Sequence, residues 1–350
     1  MNRQVNEMTK HTPLTVIAGP CSAETEAQVM DIAQALAATG RVGLFRAGIW
    51  KPRTRPGSFE GIGTEGLKWL QQVTHTYGLP CATEVATPYH VYEALKYGID
   101  TLWIGARTTT NPFAVQELAE ALRGSGARVL IKNPVPPDVD LWTGATERII
   151  NAGVVDVSLV HRGFAAHGKR TYRNEPYWEV AAAMRSRFPG LPMFGDPSHM
   201  GGDRKYLYEL CAKALELGYD GLMIEAHPDP AAAWSDAAQQ LTAGALDALL
   251  QALLVAGPQQ ETLPVLRSEI DVIDDRLLDM LMQRMHIAKK IGALKKQEHQ
   301  PVLQADRWRE VIGRLTGKGG EKGLSRVLIE NVFTAIHNES LQQQGLRINE

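Results

Sequence analysis

Residues 101–132 read TLWIGARTTTNPFAVQELAEALRGSGARVLIK, and the succession of textures within them decides the fold. Thr101–Gly105 is a short β-rich run, Asn111–Arg123 is amphipathic and of helix length, and Val129–Lys132 is β-rich again. Strand, helix and strand in so few residues form a crossover unit with parallel strands, because the helix carries the chain back before the second strand begins. The same alternation extends both ways. Upstream, β-rich runs at Thr15–Ala18, Gly43–Ala47 and Cys81–Val85 are interleaved with helical stretches at Glu26–Ala38 and Thr64–Tyr77. Downstream, runs at Val157–Val160, around Met193–Phe194 and at Gly221–Ile224 alternate with helices at Tyr177–Arg187 and Arg204–Leu217. Eight such units in about 250 residues are the count of an α/β TIM barrel, (β/α)8, rather than an open sheet.

The alternation stops after the apolar helix Thr242–Val255. Ala256-Gly-Pro-Gln-Gln-Glu261 is a polar Gly/Pro stretch that breaks a helix and starts no strand. The barrel domain is therefore assigned to residues 1–256 and a linker to 257–262. From 263 to 350 there are no β-rich runs, only Leu, Ile, Met, Arg and Lys at helical spacing, so a smaller all-α domain follows. Thr262 and Pro264 suit the start of a helix running to about Glu298, which would be about 54 Å long at ~1.5 Å per residue. A domain this small cannot cover the apolar stripe of such a helix alone. An intertwined homodimer through this domain is expected, with a higher oligomer left open.

Bulk composition narrows the classes. A chain of 350 residues exceeds what one core usually organises, which agrees with a large domain and a small one. With 37 basic against 39 acidic side chains, the net charge of -2 excludes a general nucleic-acid coat, so any anion site must be local. Cys21, Cys81 and Cys211 are odd in number and widely spaced, which speaks against a disulfide framework and for a reducing cytoplasm. Residues 1–15 are too polar for a secretory leader, and no apolar run reaches the ~18 residues of a membrane span.

In a TIM barrel the chemistry sits at the C-terminal ends of the strands. In order, these ends offer Cys21; Arg46 with Lys51 and Arg53; Glu84; Arg107; Lys132; Arg162; His199; and Glu225 with Asp236 beyond it. A lone arginine there is ordinarily a surface loop residue, but a polar group at every end is not explained that way. Arg46, Lys51, Arg53, Arg107, Lys132 and Arg162 would crowd one mouth, which is tolerable only if phosphate or carboxylate arrives to neutralise them. More than one small anionic substrate is implied. Cys21, His199, Glu225 and Asp236 are a mixed sulfur, nitrogen and oxygen set that suits one divalent transition ion, whether manganese, iron, cobalt or zinc. Taken alone, Cys21 is as readily a buried thiol; its place after Gly19-Pro20 at the mouth of the first strand shifts the balance. Cys81 and Cys211 are read as core, and His161, His167 and His227 rank behind the four as ligands.

Gly19-Pro-Cys-Ser22, Lys51-Pro-Arg-Thr54, Gly105-Ala-Arg107, Asp196-Pro-Ser-His199 and Ile224-Glu-Ala-His-Pro228 occur in that order at strand ends. Together they resemble the signature of 3-deoxy-D-arabino-heptulosonate 7-phosphate synthase, over roughly residues 14 to 255. The sister enzyme that uses arabinose 5-phosphate resembles Lys-Ala-Asn-Arg-Ser where this chain has Lys-Pro-Arg-Thr, and it remains the alternative, together with a condensing enzyme acting on a sialic-acid precursor. The resemblance implies that Cys21, His199, Glu225 and Asp236 bind the metal. It implies that Lys51, Arg107, Lys132 and Arg162, helped by Arg46, hold phosphoenolpyruvate, while Arg53 and Thr54 take the phosphate of erythrose 4-phosphate. The metal would polarise the sugar aldehyde, carbon 3 of phosphoenolpyruvate would attack it, and water would add at carbon 2 before phosphate leaves by carbon–oxygen cleavage. Glu84 would pair with a substrate-holding lysine or steady the transient cation, and Asp196 would touch the sugar hydroxyls.

In the tail, Arg284 and Lys295 are eleven residues apart, close to three turns, and so share one helix face. Arg267 lies about 26 Å earlier along the axis and would serve a partner chain's site. A solvated basic face is the plain reading of these cations. However, Leu266-Arg267-Ser-Glu-Ile270, Arg284, Lys295, Asp306-Arg307, Glu339-Ser340 and Gln344 resemble the all-helical chorismate mutases along Leu263 to Gln344. The resemblance implies that Arg284, Arg307 and the other chain's Arg267 grip the two carboxylates of chorismate, and that Lys295 and Gln344 bond its ether oxygen. Ser340 would line the site. Trp308 stands where relatives commonly carry the carboxylate that holds the substrate hydroxyl, and Gln304 replaces a nearby acid. A tail that only dimerises and senses chorismate or prephenate is the alternative, and a pathway product bound there would restrain the barrel.

Overall fold

The computed structural model describes residues 14–51, 57, 59–168, 170–256 and 263–345. The chain divides into two compact units, Met1–Gln259 and Gln260–Glu350. In the first, eight strands close in sequence order into a barrel. They are β1 (Thr15–Gly19), β2 (Leu44–Arg46), β3 (Cys81–Val85), β4 (Thr101–Ile104), β5 (Arg128–Lys132), β6 (Asp156–His161), β7 (Met193–Gly195) and β8 (Gly221–Glu225). Every pairing is parallel, and β1 closes on β8 in a register that sets Gly19 beside Glu225. The strands lie within a residue or two of their sequence assignments. The stretch expected as a helix from Arg204 opens instead as a 3-10 turn at Arg204–Tyr206, capped by the Asp203 side chain, before the α-helix Leu207–Glu216.

Side chains alternate across a strand, and that period places the site. Ile17, Leu44, Ala82, Trp103, Leu130, Val160, Phe194 and Met223, one from each strand, form a buried cluster of their own inside the barrel. A second core lies between the strands and the surrounding helices, including Val29, Ile32 and Leu36 of the helix Glu26–Thr39. Two residues beyond each interior residue, on the same face, come Gly19, Arg46, Glu84, Gly105, Lys132, Arg162, Asp196 and Glu225. The apolar floor and the polar ring above it are thus consecutive layers of one pattern.

The second unit is built from three helices: Leu263–Gln297, Ala305–Glu321 and Arg326–Gln343. The first has 35 residues, a length of about 52 Å. Among its residues with described burial, only Ala288 and Gly292 are buried. Ile270, Ile273, Leu277, Leu278, Ile287 and Leu294 are exposed along it. No helix among the described residues is long and apolar enough to cross a membrane.

Candidate active sites

At the mouth of the barrel, one ligand atom each of Cys21, His199, Glu225 and Asp236 lies within 4.8 Å of the others. Glu225 is the last residue of β8, and Cys21 follows Gly19 at the end of β1. Gly19 has φ +148, and a Cβ there would come 2.1 Å from the Arg46 carbonyl oxygen, so only glycine lets β1 turn this tightly over β2. His199 is carried by the short helix Pro197–Gly201, whose cap is the Asp196 side chain. Asp236 sits in the left-handed region at φ 50, ψ 38, a conformation that aspartate tolerates better than most residues.

The donors are oriented as a cation site needs. His199 Nδ1 lies 2.9 Å from the Asp196 carboxylate, which leaves Nε2 turned toward Glu225 at 3.5 Å. Burial, opposed by Asp196 and Glu225, holds the imidazole pKa below its ordinary value, so the ring is neutral with a lone pair to give. Asp236 Oδ2 lies 3.2 Å from the Cys21 sulfur. Burial and then Glu225 push the Cys21 thiol up to about 12, so it is protonated until a dication displaces the proton. Glu225 Oε1 is buried and ion-paired with Arg46 NH2 at 3.1 Å without hydrogen-bond geometry. A mixed S, N and O set converging in this way fits one divalent transition metal.

The cations fall into two groups. Arg46, Lys51 and Lys132 are packed against the donors. Arg46 is 1% exposed and 3.1 Å from Glu225, yet its Nε and NH1 have no hydrogen-bond partner. Lys51 donates to the Cys21 carbonyl oxygen at 2.8 Å and to its sulfur at 3.0 Å. Lys132 is paired with Asp196 at 2.8 Å, and its pKa is lowered by burial against the pull of that carboxylate. Below them lies Trp103, its ring centroid 4.9 Å from the Arg46 guanidinium carbon and 5.6 Å from Lys132 Nζ. Trp103 Nε1 donates to Glu84 at 3.1 Å. Gly105 leaves the space that Glu84 fills, because a Cβ there would come 2.0 Å from Glu84 Oε1.

Arg107 and Arg162 instead line a cavity of about 900 Å³ together with Arg170, Arg173 and Asn174. Arg162 is held by Asn174 Oδ1 at 2.8 Å. Burial, with Arg173 and Arg107 nearby, lowers its pKa to about 10, which still leaves it charged at neutral pH. A guanidinium cluster of this kind selects phosphate or carboxylate.

Several of these partners escape sequence reading. Trp103 reads as core, and Arg170, Arg173, Asn174 and Gln239 lie in aperiodic loops; the only hint is the basic run that contains Arg170 and Arg173. Asp196, expected at the sugar hydroxyls, is wholly buried and engaged by Lys132 and His199. His161 is likewise buried, between the Tyr219 hydroxyl and the Pro176 carbonyl oxygen, and belongs to the packing. Arg53 and Thr54 lie outside the described residues.

The helical unit has its own pocket of about 370 Å³, lined by Arg284, Lys295, Arg307, Gln304, Trp308, His337, Ser340, Gln344 and apolar side chains. Arg284 donates to the Ser340 hydroxyl and, at 3.4 Å, to the Ile336 carbonyl oxygen. Lys295 donates to the Val302 carbonyl oxygen at 2.6 Å. Gln344 Oε1 is buried without a hydrogen-bond partner. Gly292 lets the Gln344 backbone approach, since a Cβ there would lie 2.7 Å from Gln344 Cα. Trp308 stacks on His337 with centroids 4.1 Å apart, a shelf that sequence reading did not supply. Arg267 is exposed and does not line this pocket.

The sequence model of the DAHP synthetase I family matches residues 4–257, and that of chorismate mutase type II matches residues 266–345. Phospho-2-dehydro-3-deoxyheptonate aldolase of Thermotoga maritima is 34% identical over 227 residues, covering 65% of this chain and 65% of that relative's own length. A 2-dehydro-3-deoxyphosphooctonate aldolase of Methylobacterium radiotolerans is 31% identical, covering 70% of this chain and 89% of the relative. The crystal structure of the Thermotoga maritima DAHP synthase superposes with a TM-score of 0.62 at 30% identity, covering 69% of each chain.

Proposed function

We propose, on the premise that this chain belongs to the DAHP synthetase I family and carries a chorismate mutase type II domain behind it, that the barrel condenses phosphoenolpyruvate with erythrose 4-phosphate and the helical unit rearranges chorismate to prephenate. The observation that carries the first half is the four-donor cluster at the barrel mouth, beside a cavity lined by four arginines.

Cys21, His199, Glu225 and Asp236 would hold one divalent metal ion, which when bound supplies Lewis-acid polarisation of the sugar aldehyde. The residues do the rest. Lys51, Lys132, Arg46, Arg107 and Arg162 bind the phosphate and carboxylate of phosphoenolpyruvate, setting carbon 3 toward the aldehyde. Arg46 Nε and NH1, buried and without a hydrogen-bond partner, have donors to give an anion. Arg53 and Thr54 take the erythrose 4-phosphate phosphate. Glu84, steadied by Trp103, faces the positive charge that develops at carbon 2 as carbon 3 attacks and that water then discharges. Asp196 acts behind the site, holding Lys132 and His199 in place.

In the helical unit, Arg284 and Arg307 bind the carboxylates of chorismate, with Arg267 supplied by a second copy. Lys295 and Gln344 bond the ether oxygen while Ser340 and the Trp308–His337 shelf confine the ring; no nucleophile is needed for a pericyclic step. A homodimer through this unit would cover the apolar residues exposed along the helix Leu263–Gln297. Dissociation to monomer at micromolar concentration in sedimentation velocity would remove that part. Residues 257–262 join a barrel domain ending at 256 to a mutase domain starting at 263, and the buried free thiols suit a reducing cytoplasm.

The test is phosphoenolpyruvate consumption by the full chain with erythrose 4-phosphate or arabinose 5-phosphate, each with and without a chelator. Loss only with erythrose 4-phosphate, stopped by chelation and restored by a divalent metal, is the expected outcome. Several similar relatives are named 2-dehydro-3-deoxyphosphooctonate aldolase, which keeps arabinose 5-phosphate as the second reading. Activity with that sugar alone would establish it. We further propose that prephenate bound in the helical pocket slows the barrel. Equal slowing in wild type and Arg284→Ala would overturn this.

A further inference from the structure

We infer that Arg173 is a positioning residue for the metal site, aiming both carboxylate ligands from the loop that follows β6. This rests on the reading of Cys21, His199, Glu225 and Asp236 as ligands. Arg173 NH1 donates to Asp236 Oδ1 at 2.8 Å and to Gln239 Oε1 at 2.9 Å. Gln239 is 1% exposed, and its own amide donates to Glu225 Oε2 at 2.6 Å. One guanidinium therefore reaches Asp236 directly and Glu225 through a single side chain. In each case it engages one carboxylate oxygen and leaves the other turned inward. Asp236 Oδ2 faces the Cys21 sulfur at 3.2 Å, and Glu225 Oε1 lies 3.5 Å from His199 Nε2. The next residue in the loop extends the set, because Asn174 Nδ2 donates to the His199 carbonyl oxygen at 2.6 Å.

The surroundings are built to hold Arg173 there. Arg173 N donates to the Gly201 carbonyl oxygen at 3.2 Å. Gly202, at φ +69, has no room for a side chain, since its Cβ would come 2.5 Å from Arg173 Cβ. Asp236 stands in a left-handed conformation at φ 50, so its aim depends on a tether of this kind more than on its own backbone preference. The 3-10 turn Ala237–Gln239 places Gln239 three residues on, beside the same guanidinium.

Electrostatics and geometry predict opposite signs, which makes the idea testable. Arg173 is a positive charge beside a cation site, so a mere neighbour would weaken metal binding, and its removal would strengthen it. A positioning residue does the reverse: loss of an outer hydrogen-bond partner of a ligand typically costs about 10- to 100-fold in metal affinity. The experiment measures Zn²⁺ and Mn²⁺ dissociation constants of the full chain by competition with a chromogenic chelator. Wild type, Arg173→Gln, Arg173→Lys and Gln239→Leu are compared, with the visible spectrum of the Co²⁺-loaded chain recorded for each.

Arg173→Gln is expected to weaken binding about 10- to 100-fold and shift the Co²⁺ spectrum. Arg173→Lys should recover part of the loss, since an amine reaches Asp236 but not Gln239 as well. Gln239→Leu should weaken binding through Glu225 alone, and it stands as the test if Arg173→Gln does not fold. Unchanged or tighter binding with an unaltered spectrum in Arg173→Gln or Gln239→Leu would overturn the inference. Absence of metal binding by wild type, or a Cys21→Ala variant that binds as wild type does, would instead overturn the ligand reading beneath it.

Discussion

Replacing Gly105 with alanine adds one methyl group at the end of β4 and should disable the barrel without unfolding it. Gly105 has φ -72 and ψ 156, an extended conformation that alanine adopts freely, so the backbone contributes no strain. The cost comes from contact. The new Cβ would lie 2.0 Å from Glu84 Oε1 and 2.9 Å from its Cδ, where an ordinary contact begins near 3.4 Å, so the carboxylate must retreat by about 1.4 Å. Glu84 Oε2 accepts from Trp103 Nε1 at 3.1 Å, and a shift of that size breaks the bond. A lost hydrogen bond and local overpacking cost about 1–3 kcal/mol, which a barrel of this size withstands. Misplacement of a catalytic carboxylate by more than 1 Å costs about 100-fold in turnover. The assay is phosphoenolpyruvate consumption with erythrose 4-phosphate, run beside a thermal melt. The double variant Glu84→Ala/Gly105→Ala isolates the cause: with the carboxylate gone the methyl has room, so the second change should add almost nothing. Turnover of Gly105→Ala within twofold of wild type, or additive losses in the double variant, would refute the reasoning.

Cys21→Ser should lower Zn²⁺ affinity by at least about 100-fold and Mn²⁺ affinity much less, because sulfur is what favours the softer ion; equal losses in chelator competition would count against Cys21 as a ligand. His161 has a pKa held down to about 3 by burial, against 6.5 when free. The unfolded chain therefore takes up the proton first, and this histidine's contribution to stability, present above pH 6.5, is lost as pH falls toward 3. That is about 2 kcal/mol between pH 7 and pH 5, and His161→Gln should show a correspondingly flatter denaturation midpoint over that range; an unchanged slope would exclude His161 as the source. Arg284→Ala should reduce chorismate turnover by about 100- to 1,000-fold while leaving phosphoenolpyruvate consumption intact, and retained turnover would count against Arg284 as a group that binds chorismate.

Much of this was legible in the sequence for a definite reason. Strand runs such as Thr101–Ile104 and Cys81–Val85 are short, apolar and separated by helices, and a parallel barrel has few other ways to be written. The rim was legible because barrel chemistry sits where strands end, which found Arg46, Lys132 and Glu225 without any knowledge of distance. What stayed hidden depends on contacts between distant loops. Arg173 meets Asp236 across 63 positions, and no periodicity encodes that pairing. Trp103 was hidden for the opposite reason: its sequence context is that of a core residue, which it is, and its second use by Arg46, Lys132 and Glu84 appears only once the strands are closed. In the tail, spacing placed Arg284 and Lys295 on one face, but the shelf of Trp308 on His337 joins two different helices.

The reactive ring and the greasy floor beneath it occupy successive same-face positions of the same eight strands. A single-residue insertion or deletion ahead of the floor residue in a strand such as β5 or β8 would turn both toward the surrounding helices together, driving a charged side chain into the apolar layer there at the moment it left the mouth. Damage of that kind cannot yield a well-folded but inactive barrel. Selection for solubility alone would remove it, so the same force that keeps the molecule from aggregating also guards its chemistry.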